Sequence, residues 1–70
     1  PAMATGGSGD VLTGIIAALI CQGMSNLDAS RLGVHVHGLA GQLAGEQLSS
    51  HVVLPTEVIQ FLPTAFAKTV

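Results

Sequence analysis

The chain has 70 residues, of which 49% are hydrophobic and only 9% are charged, whereas a typical globular protein carries about 25% charged residues. Its single cysteine, Cys21, excludes an internal disulfide, and its formal charge of −2 leaves no basic cluster for nucleic-acid phosphates. We therefore expect a piece of a larger cytoplasmic protein, with Cys21 as a buried structural thiol and no nucleic-acid partner. The start at Pro1, directly before a glycine cluster, agrees with a chain cut from the middle of a domain.

The first ten residues predict a glycine-rich loop, because Gly6, Gly7 and Gly9 lie there and no regular element tolerates so many glycines. An apolar run follows over residues 11–22, and its length and small central residues favour a helix that ends at Gly23. Nearly every side of this helix is apolar, so we expect it to be buried in a larger body. The run is much shorter than the about 20 residues of a membrane span, so no membrane partner is expected.

Two further helices are predicted after a turn. The first begins after Ser25, a hydroxyl residue suited to the N-cap, has Asp28 in its first turn, and extends to about Gln47 on three-and-four apolar spacing. The next begins at Pro55, and Pro63 either kinks it or begins a new turn. Glycines within the second predicted helix are expected to permit tight helix packing: Gly33, Gly38 and Gly41.

The chemistry is concentrated where the glycine-rich loop meets the first predicted helix. A glycine loop that enters a helix N-terminus points several backbone N–H groups at one place, and the helix dipole adds partial positive charge there. We therefore expect an anion, such as a nucleotide phosphate, to bind against Gly7, Ser8 and Gly9. For Asp10 two interpretations remain: it caps the helix, or it accepts a proton from a substrate hydroxyl beside the phosphate. The loop is not a Walker A motif, because no Gly-Lys-Ser/Thr sequence closes it.

A longer pattern, in chain order, carries a resemblance to a known family. The stretches are MATGGSGDVLTGIIA at 3–17, QGMS at 22–25, LGV at 32–34, HGLAG at 37–41 and LPTEVI at 54–59. Together they resemble the C-terminal part of the ADP-dependent NAD(P)H-hydrate dehydratases, in the ribokinase-like superfamily. The chain departs from that pattern at Gln42, where the family often has Asp.

The resemblance implies a ribokinase-like three-layer α/β domain, of which this chain is the mostly α-helical C-terminal segment. Residues 1–70 would be the last part of one dehydratase domain, with the anion-hole loop at 1–10 and a helical segment at 11–70. The implied reaction removes water from (6S)-NAD(P)H hydrate and consumes a nucleotide. ADP would give AMP and phosphate, ATP could take its place, and Mg²⁺ would accompany the nucleotide. Gly7, Ser8 and Gly9 would then contact the nucleotide, and Asp10 would bind the hydrate and activate its hydroxyl.

The resemblance also implies that the segment is inactive alone, needs the N-terminal part of its domain, and belongs to an enzyme that forms a homo-oligomer. His35 and His37, two residues apart on a helix, cannot ligate one metal together, so no metal site is expected. His37 either lines the nucleotide side of the second helix or is a buried polar group that the backbone satisfies. Two other functions stay open: a small-molecule kinase acting on a sugar or pyrimidine alcohol, and a non-enzymatic helical interaction module.

Overall fold

The computed structural model describes residues 7–48 and 53–69, and within these ranges it contains three α-helices and no strand. Helix α1 is Ser8–Cys21, α2 is Asn26–Leu48 and α3 is Pro55–Thr69. The long helix α2 packs against both of the others, whereas α1 and α3 touch each other much less. The three predicted helices are therefore confirmed in number and order, and the part of the predicted loop at residues 1–6 lies outside the described residues.

Helix α1 begins earlier than the sequence suggested. Its N-cap is Gly7, which has a left-handed backbone (φ 93°) and no side-chain capping bond, so the helix starts at Ser8. Residues 8–10 therefore form the first helical turn, and the loop predicted to extend through residue 10 ends at Gly7. Interpreting Asp10 as the helix cap was wrong for the same reason, because Asp10 is already the third helical residue.

The caps of the other two helices follow local sequence rules. The Ser25 hydroxyl accepts a hydrogen bond from the Asp28 backbone N–H at 3.1 Å, which confirms Ser25 as the predicted N-cap of α2. In α3, the Leu54 N–H donates to the Glu57 carboxylate at 2.8 Å, as in one half of a capping box. This helix continues through Pro63 to Thr69, so no new element begins at that proline.

The core lies on the two faces of α2. Toward α3 it is built from small and β-branched side chains, and these fully buried residues are Val36, Ala40, Ala44, Val53, Val58 and Ala65. Toward α1 a smaller cluster contains Ile15, Leu19 and Ala29. Small side chains on α2 let the neighbouring backbones approach closely, and α2 is therefore the element that fixes the positions of both other helices.

Helix α1 buries only one narrow stripe of its apolar surface against the rest of the described chain. Ile15 and Leu19 are buried, while Ile20 is 39% exposed. Cys21 is also exposed within the described residues, so they do not supply its predicted burial.

A glycine at the crossing of α1 and α2 supports the predicted close packing. A Cβ atom added at Gly33 would lie 2.7 Å from Cγ1 of Ile16, closer than two carbon atoms can approach. No comparable contact exists at Gly38, where a Cβ would meet nothing within 4 Å. Close packing is therefore confirmed at Gly33, and Gly38 has no packing reason to be glycine among the described residues.

We expect Gly33→Ala to destabilise the protein by about 1–3 kcal/mol, because the β-branched Ile16 side chain is too stiff to move aside freely. Gly38→Ala, on the same helix, is the control and should stabilise the protein by up to about 1 kcal/mol. Urea unfolding followed by circular dichroism measures both. Adding Ile16→Ala to Gly33→Ala should reduce the cost of the new methyl group; an unchanged cost would show that this contact is not its source.

Candidate functional site

The candidate site is the N-terminus of α1. Ser8, Gly9 and Asp10 are its first three residues, and the Val11 N–H donates to the Gly7 carbonyl at 3.2 Å, which closes the first turn. The N–H groups of a first turn have no carbonyl four residues earlier in the helix to bind, and they point out of its positive end. This arrangement suits an anion such as a phosphate. Of the predicted anion-binding residues, Ser8 and Gly9 lie in this turn and Gly7 is its cap.

Gly7 is where the start of α1 meets the start of α3. Its φ of 93° is a conformation that side-chain-bearing residues rarely adopt, and a Cβ there would lie 3.0 Å from Cγ of Pro55. Both the backbone conformation and the available space therefore require glycine. Pro55 is the first residue of α3 and lies against Gly7. The sequence identified this turn by its glycines and gave no sign of the contact with the proline.

The second neighbour of this turn is His37 of α2. The His37 side chain is buried, with 8% of its surface exposed. Its Nε2 atom lies 3.1 Å from the Ser8 carbonyl oxygen and 3.3 Å from the Ser8 hydroxyl oxygen. Of the two interpretations given for His37, the satisfied buried polar group is confirmed, and the group that satisfies it belongs to the candidate site. Helices α2 and α3 thus both hold the first turn of α1.

Asp10 and Gly9 leave this turn open to a ligand. Asp10 is exposed and stands in the first turn of α1, where a carboxylate also interacts favourably with the helix dipole. Gly9 is exposed, and a Cβ added to it would meet nothing within 4 Å. No contact within the described chain therefore requires glycine at this position. The lack of a side chain leaves the Gly9 backbone accessible.

Other candidate residues contribute nothing to this site. His35 is exposed on α2, two residues from the buried His37. Within residues 7–48 and 53–69, no three His, Cys, Asp or Glu side chains come together in a way that could hold a metal ion.

None of the helices in the same ranges is long and apolar enough to cross a membrane.

An open apolar groove of about 610 Å³ runs between α1 and α3. Its walls include Ile15 and Leu19 of α1 and Leu62 and Phe66 of α3. No titratable side chain lines it, so the groove offers apolar surface for packing and no groups for chemistry.

A glycine-capped helix N-terminus, held by two neighbouring helices and bearing an exposed carboxylate, is an arrangement suited to binding a phosphate. The comparison with known families makes this specific: the chain belongs to the NAD(P)H-hydrate dehydratase family, whose pattern matches residues 1–64. The family resemblance predicted from the sequence is confirmed.

Named relatives agree with this assignment. The chain is 48% identical over 65 residues to the bifunctional NAD(P)H-hydrate repair enzyme Nnr of Thermofilum pendens, covering 93% of this chain and 12% of that protein. It is 41% identical over 68 residues to the ADP-dependent (S)-NAD(P)H-hydrate dehydratase of Enterococcus faecalis, covering 97% of this chain and 23% of that protein. The chain therefore spans a minor part of the length of these relatives. No solved structure matches it.

Proposed function

We propose that the protein to which this chain belongs uses ADP to dehydrate (6S)-NAD(P)H hydrate, which restores NAD(P)H and releases AMP and phosphate. The observation that carries the proposal is the position of Asp10, an exposed carboxylate in the same helical turn as the N–H groups suited to a phosphate. A general base and an anion site so close together suit transfer of a phosphoryl group to a hydroxyl. Family membership and the name of the Enterococcus relative supply the substrate and the nucleotide.

In this proposal the residues of the first turn have separate roles. The backbone at Gly7, Ser8 and Gly9 holds the terminal phosphate of ADP at the positive end of α1. Asp10 binds the hydrate and accepts the proton of its hydroxyl while the hydroxyl oxygen attacks that phosphorus and the bond to AMP breaks. The phosphorylated hydrate then loses phosphate as its carbon–oxygen bond breaks, and loss of a proton from the adjacent ring carbon completes the restored double bond of NAD(P)H.

The geometry of the described residues also fits a segment of a larger catalytic domain. Helix α1 leaves apolar side chains such as Ile20 exposed, and the groove beside it is open. We propose that the N-terminal part of a ribokinase-like three-layer α/β domain covers these surfaces, with residues 1–70 as its C-terminal segment, and that this segment alone is inactive. The described residues bring no metal-ligand cluster together, so any Mg²⁺ would bind through the nucleotide phosphates. A cytoplasmic location and a homo-oligomeric enzyme complete the proposal.

The first experiment is recovery of NADH from its hydrate by the full-length protein, followed as growth of the absorbance band of reduced nicotinamide. We expect growth with ADP and none without it. The same protein, incubated with ATP and a panel of sugar and pyrimidine alcohols, should form no phosphate ester. Ester formation without NADH recovery would contradict the dehydratase and favour the kinase alternative. The isolated 70 residues serve as a second control and should not restore NADH.

A further inference from the structure

The donors and acceptors available on Ser8 and His37 determine which atom donates the hydrogen bond that joins the two residues. The Ser8 carbonyl oxygen can only accept, so the 3.1 Å contact requires His37 Nε2 to carry a hydrogen. The Ser8 hydroxyl oxygen lies 3.3 Å from the same Nε2 atom, so it accepts the longer branch of a bifurcated hydrogen bond from this N–H. The Ser8 hydroxyl hydrogen is then not used by His37 and is free to donate to another acceptor.

The place of Ser8 makes this free donor important. Ser8 is the first residue of α1, next to the backbone N–H groups that would face a bound phosphate. The carbonyl of the same residue is tied to α2 by a side chain that is only 8% exposed, so a rigid part of the core fixes the turn. A sub-ångström movement of donors around an anion weakens every bond that they make to it.

We propose that His37 is a positioning residue for the nucleotide phosphate. It acts through Ser8: its Nε2–H fixes the first turn of α1 and leaves the Ser8 hydroxyl to donate to the terminal phosphate of ADP. This inference rests on the proposed function for the identity of the anion. It assigns no contact between His37 and either substrate.

The test is nucleotide binding by the full-length protein, measured by calorimetry without turnover. His37→Leu removes the donor, and the ADP affinity should fall about tenfold, the effect expected when a buried hydrogen bond is lost. AMP lacks the terminal phosphate, so its affinity should change less than about twofold. His37→Gln, whose amide N–H can replace the Nε2 donor, should bind ADP within about threefold of the wild type. His35→Leu, the exposed neighbour on the same helix, should bind both nucleotides as the wild type does.

A double-variant comparison tests whether Ser8 is the link. If His37 acts through Ser8, His37→Leu should weaken ADP binding less in a Ser8→Ala background than in the wild type. Equal losses of ADP and AMP affinity in His37→Leu, or no recovery in His37→Gln, would mean that His37 only stabilises the fold, and the inference would be wrong.

The same measurements separate this inference from the proposed reaction. Wild-type protein that binds ADP but does not restore NADH would contradict the dehydratase, while the ADP-to-AMP affinity ratios would still decide the role of His37. Wild-type protein that binds no ADP would contradict both.

Discussion

Replacing Asp10 by Asn should abolish most of the NADH recovery while leaving ADP binding in place. A general base contributes about 10²- to 10⁴-fold to rate, so kcat should fall by about that factor. The amide cannot accept the hydroxyl proton, but it keeps the size of the carboxylate and removes a negative charge beside the phosphate site. ADP affinity should therefore be unchanged or slightly higher. Stopped-flow absorbance for the reaction and calorimetry for the nucleotide measure the two effects independently.

The chain offers a closely matched control for this substitution. Asp28 occupies in α2 the same first-turn position that Asp10 occupies in α1, and it too is exposed. Asp28→Asn therefore removes a carboxylate with the same relation to a helix dipole, at a position 18 residues along the chain from Asp10. The two variants should lower the thermal midpoint to a similar small extent, and Asp28→Asn should keep the wild-type kcat. If Asp10→Asn also kept the wild-type kcat, the base would have to be another group.

Local sequence rules predicted the parts of the fold that depend on neighbouring residues. The spacing of apolar residues identified α2, the length and small central residues of the apolar run identified α1, and Pro55 marked the start of α3. Ser25 identified the start of α2 because a hydroxyl N-cap bonds within its own first turn. The start of α1 was misjudged because a glycine N-cap carries no side chain to mark it, so Ser8 and Gly9 were assigned to the loop. Composition does not say which face of an apolar helix a neighbour covers, and within the described residues Cys21 is exposed.

The parts of the candidate site that the sequence did not predict depend on distant contacts. His37 and Ser8 are 29 positions apart in the chain, and no helical or strand periodicity relates them. Pro55 meets Gly7 across an even longer separation, so the reason for that glycine is visible only in three dimensions. The sequence could indicate a turn suited to a phosphate, since that depends on a few neighbouring residues. It could not indicate what holds the turn, since that depends on how α2 and α3 pack.

Gly9 provides the sharpest test of whether a phosphate approaches the backbone of this turn. A methyl group at residue 9 would contact nothing within 4 Å in the described chain, so Gly9→Ala should leave the fold as stable as the wild type. A phosphate bound against the N–H groups of the first turn would collide with that methyl group, or it would have to move away from those N–H groups. Displacing the phosphate would weaken its hydrogen bonds to the first-turn N–H groups, and a bond to a charged group contributes about 1.5–3 kcal/mol. We therefore expect ADP affinity to fall by about 10- to 100-fold.

Gly14→Ala is the matched control for Gly9→Ala, because Gly14 lies in the same helix and an added Cβ there also meets nothing within 4 Å. Gly14 lines the groove beside α1 and lies outside the first turn of the helix, so ADP affinity should not change. Calorimetry with ADP, paired with thermal unfolding of each variant, separates binding from stability. Wild-type ADP affinity in Gly9→Ala would place the phosphate elsewhere, and the roles assigned to Ser8 and Gly9 would then be wrong. A loss of ADP affinity confined to Gly9→Ala, with neither variant less stable than the wild type, would identify the first turn of α1 as the surface that the phosphate contacts.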